Sequence, residues 1–226
     1  MKDNIRDLPY AAGATTIDTA STNKVLRNTY MLLALTVAFS AVCAVIGTAM
    51  EISSTVALVC MIASFGVLFW VHKAAESAQG LVAVFVFTGL LGFSLGHILN
   101  RYLGLANGSE LIFQAMAGTA LVFFGLSGYV LTTRKDFSFM RGFLTVGLIV
   151  MLVAMVVNLF LNIPLLTVAF PAFIVLLMSG LILFDTSRII HGGETNYIRA
   201  TVGLYLSLYN LFVSLLQLSG MFGGDE

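Results

Sequence analysis

The sequence predicts an all-α integral membrane protein, built as a bundle of seven transmembrane helices. Of its 226 residues, 59% are hydrophobic and only 10% are charged, whereas a soluble domain carries about 25% charged residues. The mean hydropathy of +0.99 is too high for a chain that must present a polar surface to water. The apolar residues form long blocks between short polar segments, which is typical of a helical bundle. A membrane β-barrel would instead show alternating segments of about 10 residues.

Each apolar block has about the 20 residues that a helix needs to cross a bilayer. The polar string "STNK", which begins at Ser21, offers N-cap residues for the first helix, and the seventh block is less apolar than the others. The predicted spans are residues 29–50, 54–71, 80–99, 110–133, 139–161, 165–184 and 198–222.

The positively charged residues predict the orientation of the bundle. Of the eleven Lys and Arg residues, all but Arg101 fall in the N-terminal segment or near the loops after the second, fourth and sixth spans. Because cytoplasmic loops are enriched in Lys and Arg, we expect the N-terminus in the cytoplasm. Seven full crossings would place the C-terminus outside, whereas a re-entrant seventh helix would keep it inside. The sequence favours full crossing without excluding the second arrangement.

The segments outside the membrane domain are short. We expect residues 1–23 to form a flexible cytosolic tail, because they are mostly small, polar and poor in core-forming residues. Residues 24–222 then form the seven-helix membrane domain, and residues 223–226 form a short C-terminal tail. The first 28 residues lack the apolar core of a cleaved signal peptide. The net charge of zero argues against a nucleic-acid surface.

Few residues suit catalysis or metal binding. Cys43 and Cys60 lie within apolar blocks, where we expect them to pack as small buried residues rather than to form a disulfide. No Cys and His spacing fits zinc and no glycine-rich loop fits a phosphate, so we expect no metal and no cofactor. The three histidines (His72, His97 and His191) lie near helix ends without an obvious Ser or Cys partner, which argues against an enzyme.

The seventh block carries a polar stripe. Small and polar residues recur there at intervals of four, four, three, four and three, which places them along one face of a helix. A stripe facing lipid would leave hydrogen-bonding groups unpaired in hydrocarbon, so we expect it to face the bundle or a wet cavity. It serves either interhelical hydrogen bonding, worth about 0.6 kcal/mol for each bond, or the lining of a path or gate. This helix-seven stripe comprises Arg199, Gly203, Ser207, Asn210, Ser214 and Gln217.

Asp185 directly follows a full apolar span, and Arg188 lies one helical turn further on. One interpretation is an i, i+3 ion pair in the headgroup region. The other is that Asp185 turns into the bundle, meets the helix-seven stripe and acts as a proton-sensitive latch, because burial disfavours a charged carboxylate. The sequence leaves both interpretations open.

Four strings, "FTGLLGFSLGHILN", "AMAGTALVFF", "LILFDTSRIIHG" and "LYLSLYNLF", resemble the Bax-inhibitor family, also called the transmembrane Bax inhibitor motif family. The resemblance covers about residues 23–222 and implies a seven-helix fold with a central seventh helix, here the polar-striped one. Family members linked to calcium leak and pH sensing use two acids, one of which matches Asp185. The second position is Ser207 here. A hydroxyl is a weaker calcium ligand than a carboxylate and cannot share a proton with Asp185 as a second acid would.

Longer strings, "NKVLRNTYMLL", "YVLTTRKDFSF" and "IIHGGETNYIRATVGLYLSLYNLFVSLL", resemble the proteobacterial branch of the family, which contains a modulator of the FtsH protease. The resemblance implies a multi-pass protein of the bacterial inner membrane, with the FtsH protease complex and the lipid bilayer as its partners. The implied function is regulatory: the protein binds and modulates FtsH and restrains the degradation of membrane proteins. The alternative is a pH-sensitive leak for calcium or protons gated by Asp185, with Arg188 and Ser207 in the latch.

Overall fold

The computed structural model describes residues 19–161 and 163–223, and within these residues the chain forms seven α-helices and no strand. All seven helices are long and apolar enough to cross a membrane, so the predicted all-α fold with seven spans is confirmed. The helices are α1 (Thr19–Ala49), α2 (Ser54–Ala74), α3 (Ala78–Leu103), α4 (Gly108–Thr133), α5 (Met140–Leu161), α6 (Pro164–Ile190) and α7 (Tyr197–Gly223).

Among the C-terminal ends of the helices, that of α6 differs most from its predicted position. α6 continues to Ile190, six residues beyond the predicted end (184 to 190), so Asp185 lies inside the helix rather than after it. The extension stays helical although it is less apolar, because it packs against the bundle. Its residues Thr186, Ser187 and Ile189 are almost fully buried.

The first helix begins earlier than its apolar block suggests. α1 starts at Thr19, so residues 19–23 of the predicted cytosolic tail belong to a helix, while residues 1–18 lie outside the described residues. With 31 residues, α1 is about 46 Å long at 1.5 Å per residue, which exceeds the hydrocarbon thickness of about 30 Å. The first turns of α1 therefore project beyond the apolar part of the membrane.

α7 lies at the centre of the bundle and packs against α1, α2, α3, α4 and α6. The backbones of α1 and α3 approach each other closely. A Cβ on Gly92 would collide with the carbonyl oxygen of Ser40, and a Cβ on Gly96 would collide with the backbone of Gly47. Because small residues let membrane helices approach closely, these glycines fix the spacing of α1 and α3. Among the described helices, α5 packs against α6 alone.

α7 crosses the whole bundle. Near its start, Asn196 donates from Nδ2 to the carbonyl oxygen of Ala75, at the α2–α3 turn (2.9 Å). At its end, Asn107 of the α3–α4 turn donates from Nδ2 to the carbonyl oxygen of Gly223. These two turns lie at opposite ends of α3, so α7 is a full span and not a re-entrant helix. Residues 224–226 of the predicted C-terminal tail lie outside the described residues.

Candidate functional site

Asp185 faces α7. Its side chain is only 18% exposed, and its Oδ2 atom would lie 3.1 Å from a Cβ placed on Gly203. Glycine at this position therefore lets the carboxylate lie against the helix backbone. Ser207 is buried one turn further along α7, about 6 Å away along the helix axis. The hydrogen bonds of the described residues do not join Ser207 to Asp185.

Arg188 binds two carboxylates. Its Nη1 lies 3.9 Å from Oδ1 of Asp185, and its Nη2 lies 3.2 Å from Oε2 of Glu194 in the α6–α7 loop. The guanidinium also lies over the ring of Phe184, 5.6 Å from its centroid. The structure therefore contains the geometry of both interpretations, because Asp185 pairs with Arg188 and also faces α7. The proton-sensitive latch stays a prediction. We call Asp185, Arg188 and Glu194 the acid–arginine cluster.

Glu194 connects this cluster to the start of α7. Its Oε1 accepts a hydrogen bond from the backbone N–H of Asn196 (3.0 Å). Asn196 in turn accepts through Oδ1 from the backbone N–H groups of Ile198 and Arg199, which makes it the N-cap of α7. Because Asn196 also binds Ala75, polar contacts run from α6 through the loop to the end of α2. Neither Glu194 nor Asn196 stands out as a site residue in the sequence. The preference of Asn for the N-cap position is the one signal in the sequence that could have identified Asn196. Loop residues show no hydrophobic periodicity that would identify Glu194.

A cavity of about 380 Å³ adjoins the acid–arginine cluster. It lies between α2, α6 and α7, and in the described part of the chain no Cα of α2 comes within 8 Å of a Cα of α6. α7 therefore forms the floor of an open cleft between the other two helices, which we call the α2–α6 cleft. Its lining includes Leu68 and His72 of α2, Asp185 and Arg188 of α6, Glu194 of the loop, and Arg199, Val202, Gly203 and Leu206 of α7.

Arg199 and His72 line this cleft without belonging to the cluster. Arg199 is 41% exposed, and its Nη2 lies 3.5 Å from Oε1 of Glu76, whose side chain is 81% exposed. Such an exposed pair contributes little to stability. His72 donates from Nδ1 to the carbonyl oxygen of Leu68 (2.9 Å). Its other ring nitrogen, Nε2, is the one that could bind a group in the cleft.

The middle of the helix-seven stripe faces inward. Ser207 and Ser214 are each 2% exposed, and Asn210 and Gln217 are half-buried. Asn210 donates from Nδ2 to the carbonyl oxygen of Leu206 in its own helix (2.8 Å). This part of the stripe therefore packs against the bundle and makes a hydrogen bond within α7.

Side-chain hydrogen bonds that join α7 to α1 and α3 come from the opposite face. Tyr205 donates from Oη to the carbonyl oxygen of Thr88 (3.2 Å), which leaves its oxygen to accept from the Ser40 hydroxyl (2.6 Å). The Thr201 hydroxyl donates to the carbonyl oxygen of Tyr197 in its own helix (2.7 Å) and lies 3.3 Å from the carbonyl oxygen of Thr29 on α1. The sequence places Tyr205 on a helical face but gives no reason to prefer that face, because tyrosine suits both a lipid interface and a bundle interior.

The α4–α5 loop docks on the end of α6 beside the cluster. The backbone N–H of Phe137 donates to Oγ of Ser187 (2.9 Å). Within the loop, Asp136 accepts from the backbone N–H and the hydroxyl of Ser138. These bonds hold the pKa of the Asp136 carboxyl below its usual value. Asp136 therefore stabilises a local turn and lies outside the acid–arginine cluster.

The chemistry of the site is that of ion pairing. In the part of the chain that the structure describes, no three His, Cys, Asp or Glu side chains come together as a metal site. Asp185 and Glu194 share the guanidinium of Arg188 as their cation. The two cysteines, Cys43 and Cys60, are free thiols.

The chain is similar to known membrane proteins over nearly its whole length. Residues 22–224 match the family model described as "Inhibitor of apoptosis-promoting Bax1". The chain is 53% identical over 205 residues to "Modulator of FtsH protease YccA" of Escherichia coli K12, which covers 91% of this chain and 93% of the relative. A relative from E. coli O6:H1, at the same identity, is named "Inner membrane protein YccA". An uncharacterized protein of Pseudomonas aeruginosa is 50% identical over 222 residues, which covers 98% of this chain and 100% of the relative.

Proposed function

The chain belongs to the Bax inhibitor family, and on this premise we propose that it binds the FtsH protease complex in the bacterial inner membrane and restrains the degradation of membrane proteins. The observation that carries the proposal is the 53% identity to a protein named as a modulator of FtsH. The similarity covers nearly the whole of both chains, so it includes every helix of the bundle. The proposed role is regulatory and involves no catalytic step by this chain.

Two features of the fold support binding to a membrane-embedded partner. α5 packs against α6 alone among the described helices and exposes large apolar side chains such as Phe143 and Val150. Its outer face is therefore available to a transmembrane helix of the protease complex. The projecting start of α1 exposes Lys24 and Arg27 on the predicted cytoplasmic side. It connects the membrane domain to residues 1–18, the segment that we propose the protease engages.

Co-purification and substrate turnover together test this proposal. A tagged full-length chain, extracted from membranes with mild detergent, is expected to retain FtsH, and its overproduction is expected to lengthen the lifetime of an FtsH membrane substrate. The informative variant replaces residues 2–18 with a Gly/Ser segment of equal length, which should keep the bundle but weaken the effect on turnover. A matched control replaces only residues 224–226. Unchanged substrate lifetimes on overproduction of the full-length chain would exclude the function.

The second candidate is a pH-sensitive cation leak with Asp185 as its latch. The α2–α6 cleft favours it, because the cleft reaches Asp185 beneath the end of α6. Arg188 opposes it by acting as the cation of both Asp185 and Glu194, and Ser207 supplies no second carboxylate. The test is calcium flux into proteoliposomes between about pH 6 and 8, the range in which a desolvated carboxylate titrates. Equal flux for the wild type and Asp185→Asn would exclude this latch.

A further inference from the structure

The α2–α6 cleft has the depth of a lipid site. Arg188 lies two residues before the end of α6 and Arg199 lies two residues after the start of α7, so both guanidiniums belong to the same end of the bundle. From Arg199 to Leu206 the cleft floor runs seven residues, about 10 Å at 1.5 Å per residue. The cleft therefore extends from the level of the headgroups to the start of the acyl chains.

The charges around the cleft are arranged by depth. Arg188 and Arg199 lie within the helix ends, whereas Glu194 lies in the loop beyond them and is only 16% exposed. Leu68 lies six residues before the end of α2, about 9 Å deeper along the axis, and Leu206 lies nine residues after the start of α7, about 13.5 Å along its axis. From the loop inward, a ligand would meet the Glu194 carboxylate, then two guanidiniums, then the Asp185 carboxylate paired with Arg188, and then apolar side chains.

Arg199 retains hydrogen-bonding capacity for such a ligand. A guanidinium has five N–H donors, and in the described part of the chain the side chain of Arg199 is paired only with the exposed Glu76, at 3.5 Å. An arginine fork matches the geometry of a phosphate and can bind two of its oxygens at once. The formal charges of Arg188, Arg199, Asp185 and Glu194 sum to zero, so a ligand with a net negative charge would leave the occupied cleft with an uncompensated negative charge.

From these observations we propose that the α2–α6 cleft binds a zwitterionic phospholipid with a primary amine in its headgroup, of the phosphatidylethanolamine class. Its phosphate binds Arg199 and the outer edge of Arg188, and its ammonium group binds Glu194. Its acyl chains lie along Leu68 and Leu206. The order of ammonium, phosphate and acyl chain in the lipid then matches the order of carboxylate, guanidinium and apolar side chain in the cleft.

Native mass spectrometry of the full-length chain in detergent tests this site with three probes: dioleoyl phosphatidylethanolamine, dioleoyl phosphatidylglycerol and inorganic phosphate. We expect phosphatidylethanolamine to bind about tenfold more tightly than phosphatidylglycerol, and Arg199→Gln to weaken it by about tenfold. Leu206→Trp, which fills the apolar part of the cleft, should weaken binding similarly. Arg101→Gln at the opposite end of the bundle and Leu121→Trp on the exposed face of α4 should have no effect.

Several results would overturn the assignment. Equal binding of the two lipids would show that the headgroup amine is not recognised. Full displacement of lipid by millimolar inorganic phosphate would indicate a site for free phosphate. Unchanged lipid binding in both Arg199→Gln and Leu206→Trp, with thermal unfolding like that of the wild type, would place the lipid elsewhere on the protein. Lipid binding is measured without protease turnover. The proposed lipid site can therefore be wrong while the proposed FtsH function is right, and the reverse.

Discussion

The carboxylate of Asp185 lies against the backbone of α7 at Gly203, where a Cβ would come within 3.1 Å of Oδ2. The same carboxylate pairs with Arg188 on its own helix at 3.9 Å. Asp185 therefore joins α6 to α7 through a close steric fit on one side and an ion pair on the other. A side chain at position 203 and the side chain at position 185 compete for the same space.

The first prediction concerns this competition. Gly203→Val should lower the free energy of unfolding by about 1–3 kcal/mol, because an added side chain in a filled space forces its neighbours to shift. Adding Asp185→Ala removes the carboxylate and should recover about 1 kcal/mol of that loss, a coupling typical of residues in contact. Thermal unfolding in detergent measures the cycle. Gly125→Val on α4 is the control, because nothing lies within 4 Å of a Cβ there. Strictly additive effects of the two substitutions would contradict the fit.

The second prediction concerns the cation shared by Asp185 and Glu194. A double-mutant cycle of Arg188→Gln and Glu194→Gln should give a coupling of about 0.5–1 kcal/mol, near the top of the range for exposed pairs, because Glu194 is largely buried but Arg188 is 39% exposed. The coupling should weaken at high salt. The cycle of Arg199→Gln and Glu76→Gln serves as the control and should give a smaller value, since both partners are exposed. Equal couplings for the two pairs would show that the buried position of Glu194 has no effect.

The third prediction concerns the hydroxyl that links α1, α3 and α7. Tyr205→Phe keeps the ring but removes the bonds to Thr88 and Ser40, and it should cost about 1–2 kcal/mol of unfolding free energy. Ser40→Ala should cost less, because Tyr205 keeps its bond to the Thr88 carbonyl oxygen. Tyr129→Phe is the matched control on an exposed tyrosine. If Tyr205→Phe proved as mild as Tyr129→Phe, this hydroxyl would not contribute to helix association.

The sequence alone predicts the seven spans, because twenty apolar residues in a row have few alternatives to a membrane helix. It places the end of α6 too early, because hydropathy does not register that Thr186 and Ser187 are buried by neighbouring helices. Asp185 and Arg188 can be selected from the sequence because acids and bases are rare in such a chain. Glu194 cannot be selected in this way, because its ion pair with Arg188 depends on how the α6–α7 loop folds back.

The same limit applies to the helix-seven stripe. Its spacing correctly predicts that Ser207 and Ser214 face inward, because periodicity fixes which residues share a face. Periodicity does not fix which neighbour that face meets. The contact of Asp185 with Gly203 rather than Ser207 depends on the vertical offset between α6 and α7, which no pattern within either helix encodes.

The fourth prediction concerns the approach of α1 to α3. Gly92→Ala should lower the free energy of unfolding by at least about 2 kcal/mol, because its Cβ would collide with the backbone carbonyl of Ser40, which a rotamer change cannot relieve. Gly128→Ala on α4 is the control, since a Cβ there meets nothing within 4 Å. In a helix interior the control should be neutral or stabilising by about 0.5–1 kcal/mol. Similar thermal unfolding of the two variants would contradict the close approach of α1 and α3.

The fifth prediction concerns the full crossing of α7 and uses single cysteines in a Cys43→Ala, Cys60→Ala background. A cysteine replacing Glu76 lies at the end of the bundle where α7 begins, and one replacing Phe222 lies at the end where α7 stops; both positions are about 80% exposed. Because α7 spans the bundle, a membrane-impermeant maleimide should label the two cysteines from opposite sides. The excess of Lys and Arg predicts that position 76 lies in the cytoplasm, so intact cells should be labelled at position 222 only. Labelling of both positions from the same side would show that α7 does not cross the membrane, and labelling of position 76 alone would invert the orientation.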